Sequence, residues 1–130
     1  SIMSVDEAPV LLGARNVLGA EFLAQMQRRA RKYNTGTIII TQQPSDFAAP
    51  DVLVHGKAIF DNASYYLVMG LKKQAVDDLA KLIDLNDNEI DSIKRYSQGE
   101  ALFVCGNRRM RINVIVTDEE LESFGSGGGL

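Results

Sequence analysis

Two adjacent carboxylates, Asp6 and Glu7, follow directly on the short apolar stretch Ile2 to Val5, a pattern compatible with a strand that ends in acidic residues. An aspartate at such a strand end can supply oxygen to a magnesium ion held with a phosphate, and a neighbouring glutamate can orient or activate a water for attack on phosphorus. A strand that simply ends in an acidic turn leaves the same trace. Further along, Arg28, Arg29, Arg31 and Lys32 crowd together. A guanidinium such as that of Arg31 suits the charge spread over phosphoryl oxygens, while a solvated helix end in favourable contact with the helix dipole is the plainer account of the cluster. Gln42 closes a β-branched run, where its amide meets either a ligand or the backbone. Arg108, Arg109 and Arg111 lie in a turn and strand, as solvated charge or facing a nucleotide or a neighbouring subunit. His55 is the only histidine and has no Cys or His cluster to complete a zinc site. Cys105, the only cysteine, has no partner for an internal bridge and sits in an apolar run that suits a packed thiol.

These residues need a scaffold, and the composition allows one. At 130 residues, with 45% hydrophobic and 24% charged side chains, the chain fits one domain with one core. The net charge of −3 opposes non-specific nucleic-acid binding by the chain as a whole, although the arginine clusters leave local basic patches. No apolar run reaches the roughly 18 residues of a membrane span, and no basic flank with a hydrophobic signal segment opens the sequence. The expectation is a cytoplasmic protein, peripheral to a membrane only through partners.

The elements that would position the candidate residues alternate between strand and helix. Ile2 to Val5 reads as a buried strand. From about Ala20, Phe22, Met26, Ala30 and Tyr33 recur at helical spacing among charged residues, and Asn34 and Gly36 supply a stop. Thr37 to Thr41, with three consecutive isoleucines, predicts a strand buried on both faces of a parallel sheet. Asp46 to Phe60 reads as a loop and a short helix, and Tyr65 to Met69 as a third strand. Helices follow over Gln74 to Ile83 and Asp87 to Lys94, the second capped by Asn86 with Glu89 three residues on. Glu100 to Cys105 and Met110 to Thr117 predict a closing hairpin around Gly106-Asn107-Arg108-Arg109. Asp118 to Phe124 reads as a last helical turn, and residues 125–130 as a flexible glycine-rich tail.

Taken jointly, Asp6-Glu7-Ala8, Arg28-Arg29-Ala30-Arg31-Lys32-Tyr33-Asn34, Thr41-Gln42-Gln43-Pro44-Ser45-Asp46, Gly56-Lys57-Ala58-Ile59-Phe60-Asp61-Asn62-Ala63 and Gln98-Gly99-Glu100-Ala101-Leu102 resemble successive motifs of the conjugative type IV secretion ATPases of the VirB class. The resemblance spans about residues 2 to 124. It places the chain near the RecA-like motors of the HerA and FtsK group and implies an α/β fold: part of a P-loop NTPase domain, a mainly parallel sheet flanked by helices, with a C-terminal β-hairpin. It further implies magnesium coordination by Asp6, water activation by Glu7, a polar sensor in Gln42 beside the γ-phosphate, and a phosphate-directed arginine in Arg31, in its own or a neighbouring subunit. Arg109 joins these as a nucleotide contact. ATP and magnesium are the implied cofactors of the intact protein, and none is expected on this chain alone. The implied partners are further copies in a ring, a hexamer by analogy, the secretion-channel proteins at the inner face of the membrane, and a DNA or protein substrate.

The sequence also departs from that family. It contains no G-x-x-x-x-G-K-[ST] loop to cradle phosphates, and Pro9 stands where the family commonly has a large aromatic residue. The expectation is therefore the C-terminal portion (1–124) of a motor domain, cut from a longer ATPase and inactive alone. The competing expectation is a non-enzymatic module that binds a full-length ATPase or a channel component.

Overall fold

The computed structural model describes residues 2–5, 17–115 and 117–120. Residues 1, 6–16 (with Asp6 and Glu7), 116 and 121–130 lie outside the described residues. In chain order the elements are β1 (Ile2–Val5), α1 (Val17–Lys32), β2 (Gly36–Ile39), α2 (Ser45–Ala48), α3 (Leu53–Asp61), β3 (Tyr65–Met69), α4 (Lys73–Leu79), α5 (Asp87–Arg95), β4 (Glu100–Cys105), β5 (Arg108–Asn113) and α6 (Asp118–Glu120).

The fold is mixed α/β, but its sheets differ from the mainly parallel sheet expected. Among the described residues, parallel pairing is confined to β1 and β2, in register from Ile2 opposite Gly36 to Val5 opposite Ile39. The other three strands form a separate antiparallel sheet of order β3-β4-β5. The expected burial of β2 on both faces is also not met: Ile38 is 50% exposed, and Ile2 of β1 is 75% exposed. With α1 and the core on one side only, alternate residues of β2 point away from them, and among the described residues no third strand pairs with this sheet.

Helix α1 buries only half of the expected Phe22, Met26, Ala30, Tyr33 stripe: Ala30 is buried and Met26 packs against the core, but Phe22 and Tyr33 do not join them. Ala20, Leu23, Ala24, Gln27 and Ala30 are buried, whereas Phe22 and Tyr33 are 55% and 73% exposed. Small alanines flanking Leu23 allow α1 to approach α3, its main helical neighbour. The helix ends as its sequence demands. Asn34 takes a positive φ of 54°, and the amides of Thr35 and Asn34 bond back to Ala30 and Arg31, the paired bonds of a Schellman terminus.

One contiguous core joins α1, α2 and α3 to the antiparallel sheet and α4–α5, with Leu23, Phe47, Val52, Ile59, Val76, Ile93 and Leu102 among its members. Phe60 sits at the junction: its ring meets Phe47 edge-on at 5.5 Å and stacks with Tyr66 of β3 at 6.1 Å. Helices α2 and α3 touch so closely at Gly56 that an added Cβ would lie 2.1 Å from the Phe47 carbonyl oxygen. Helix α5 starts with the expected capping box, Asn86 and Glu89 each accepting from the other's backbone amide. The hairpin turns in two residues, Gly106 at φ 58° and Asn107, two positions tighter than the sequence suggested.

Candidate functional site

Arg31 lies in the last turn of α1, and its Nη2 donates to the backbone carbonyl of Asn62 at 2.8 Å, just past the end of α3. That helix end collects donors. Gln27, one turn before Arg31, donates from Nε2 to the Ile59 carbonyl at 3.0 Å, Asn62 donates from Nδ2 to Ala58 at 2.8 Å, and the Tyr66 hydroxyl donates to Phe60. The last carbonyls of a helix have no intrahelical partner and carry the negative end of its dipole, so side-chain donors and a cation are drawn to them. Burial, and then the nearby Asp61 carboxylate, push the Tyr66 phenol above its ordinary value and keep it a donor. Gln27 itself is only 8% exposed, and its Oε1 is buried without a hydrogen-bond partner among the described residues, a state that costs roughly 1–3 kcal/mol.

Gln42 is exposed in the bend after β2, where the Thr41 hydroxyl accepts from the Gln43 amide at 3.1 Å. Topology decides its relation to the other candidates. Val5, the last described residue before Asp6, pairs with Ile39, so the chain leaves β1 towards Asp6 at the same end of the parallel pair from which it leaves β2 towards Gln42. Arg31 belongs to the other end, because α1 finishes just before β2 begins. The four residues of β2 alone separate the two ends by about 13 Å at a strand's rise per residue. The structure therefore does not bring Arg31 and Gln42 together.

Arg109 has protein partners. Its Nη1 lies 2.8 Å from both Glu89 carboxylate oxygens, and Nη2 donates to the Asp84 carbonyl at 2.9 Å, so it ties β5 to α5 and to the loop before it. Neighbouring Arg111 bonds Glu100 and lies over the Tyr96 ring at 5.5 Å. That guanidinium bond is the main reason the Glu100 carboxyl titrates below its usual range, and a backbone bond from Ser97 adds to it. Sequence reading gave Gln27 no role, and it named Glu89 only as part of a helix cap and Asn62 and Glu100 only within the resemblance motifs, not as partners of the arginines. The one available signal was Gln27 itself, a polar residue at i+4 and i+3 from Leu23 and Ala24 and at i−4 from Arg31.

Over 92% of its length the chain matches the solved structure of VirB4 of Thermoanaerobacter pseudethanolicus, with a TM-score of 0.83 and 32% sequence identity. The chain is VirB4-like. It spans 32% of the length of that VirB4 chain. A curated protein of Bacillus anthracis, described as uncharacterized, is 22% identical over 131 residues, covering 95% of this chain and 20% of that protein. No protein-family model matches the chain. Among the described residues of this VirB4-like chain, no helix is long and apolar enough to cross a membrane, and no group of His, Cys, Asp and Glu is arranged to hold a metal ion.

Proposed function

We propose that this chain is the C-terminal portion of a RecA-like ATPase motor from a conjugative transfer or type IV secretion system, with the Walker B acids and the sensor glutamine of that motor. One observation carries the reading: the match to VirB4 over 92% of the chain, at a TM-score of 0.83 and with 32% of residues identical. In this reading, Asp6 holds the magnesium that enters with ATP, its carboxylate oxygens being the donors a hard cation takes. Glu7 orients the attacking water, and Gln42, at the same end of the parallel pair, contacts the γ-phosphate. The phosphate loop that this sequence lacks lies elsewhere in the motor, so the chain alone hydrolyses no ATP. The intact protein works as a ring, a hexamer by analogy, at the cytoplasmic face of the membrane with the channel proteins, moving DNA or protein.

Two residues take more specific roles. Arg31 and Gln42 lie at opposite ends of β2, which favours Arg31 serving a phosphate bound in a neighbouring subunit over one bound in its own. Arg109, engaged by Glu89 and Asp84, acts as a brace and not as a nucleotide contact. The test is Glu7→Gln in the intact protein. Hydrolysis should fall on the order of a hundredfold or more while nucleotide binding is retained. Unchanged hydrolysis would remove the motor reading and leave a non-enzymatic module.

A further inference from the structure

Two polar side chains are buried among the described residues, Asp78, which pairs with Lys81, and Gln27, which the proposed function leaves without a purpose. Gln27 sits on the face of α1 that holds Leu23 and Ala24, and its Oε1 has no partner among the described residues. An apolar side chain of similar length would fill the same space without stranding an acceptor, so packing does not explain an amide here. What an apolar residue lacks is the bond from Nε2 to the Ile59 carbonyl at 3.0 Å. That bond pins α1 to the final turn of α3 one helical turn before Arg31, whose own anchor is the Asn62 carbonyl three residues beyond Ile59.

The anchor on Asn62 occupies one of the five N–H donors of the guanidinium. An arginine held by one donor on a fixed helix end presents the rest in a limited set of directions, whereas a free arginine on a helix terminus samples many rotamers. Fixing a catalytic cation in this way lowers the ordering needed at the moment of reaction.

We infer that Gln27 is a positioning residue for Arg31: by locking α1 onto the carbonyl end of α3, it seats the guanidinium on Asn62 and presents its remaining donors to a phosphate on a neighbouring subunit. The inference rests on the reading of Arg31 given above. Asn62 belongs to the same seat, since its Nδ2 bond to Ala58 holds the turn that offers the carbonyl.

The test is a double-mutant cycle on ATP hydrolysis by the intact motor, with folding followed by circular dichroism. Gln27→Leu should lower kcat about tenfold and leave KM for ATP within about twofold, because only the transition-state contact is misplaced. In an Arg31→Ala background the same substitution should have no further effect. Equal losses in both backgrounds would overturn the inference in favour of plain helix packing. So would a normal kcat for Gln27→Leu alongside an impaired Arg31→Ala. A normal Arg31→Ala protein would instead sink the reading of Arg31 itself, and the inference with it. Should Gln27→Leu fail to fold, Asn62→Ala leaves the core intact and enters the same cycle with the same expected pattern.

Discussion

Arg109 shows how a residue's partners decide its role. Two bonds to Glu89 form a two-point pair, and the carbonyl of Asp84 takes the other end of the guanidinium. The Glu89 side chain is 11% exposed, so removing the arginine leaves a largely enclosed carboxylate without its cation. Arg109→Ala should destabilise the fold by about 1–2 kcal/mol in denaturant titration, while nucleotide binding by the intact protein stays unchanged. A selective loss of binding would return Arg109 to the nucleotide site. The Glu100–Arg111 pair makes a separate prediction. The Glu100 carboxyl titrates below its usual range in the folded chain, so its contribution is present above the unfolded carboxylate range and is lost as pH falls through the lower folded value. Thermal melts of wild type and Glu100→Gln should therefore differ at pH 6 and converge as the pH is lowered past about 4. A constant difference across that range would discount the pair.

Among the elements, α3 is the keystone. One side receives α1 through Gln27 and Arg31, another meets α2 at Gly56, and its last residues lead into β3 through the Phe60–Tyr66 stack. Gly56 has a helical setting in which alanine is ordinarily favoured, but a Cβ there would collide with the Phe47 carbonyl, a backbone atom that cannot swing aside. Gly56→Ala should thus destabilise the chain by roughly 1–3 kcal/mol against the helix-propensity trend, read as a lower midpoint in urea. A gain in stability would mean that α2 shifts freely. The sequence showed α3 only as a short helix somewhere between Asp46 and Phe60. Its nine residues are too short a run to fix a period, and the reason for Gly56 lies in a neighbouring helix.

For the whole molecule, the question is how candidate residues at two ends of one parallel pair serve one reaction. Within a chain, β2 keeps Arg31 away from the end where Gln42 lies, which is also the end at which Val5 closes β1. Between chains the two ends can meet. If the intact protein assembles as proposed, mixing impaired Arg31→Ala protein with impaired Glu7→Gln protein should raise hydrolysis above that of either alone, because some sites then combine an intact glutamate with an intact arginine from the neighbour. Mixtures no more active than either alone under conditions of subunit exchange would assign Arg31 to its own subunit or to structure alone.

The sequence by itself determined the local elements: strand β3, the span of β4, the stop after α1 and the capping box of α5 follow from residue types acting within a few positions of themselves. It also carried the VirB-class resemblance, through several short motifs read together. Only the tertiary structure decided which face of α1 is buried, since Leu23 between two alanines fits α3 better than the larger Phe22 and Tyr33 stripe does. It likewise decided that the sheets are one parallel pair and one antiparallel three, because strand direction depends on which distant backbone groups meet. The seat of Arg31 was out of reach of the sequence for the same reason. It is made from a backbone carbonyl 31 residues away, and a carbonyl leaves no mark in residue type.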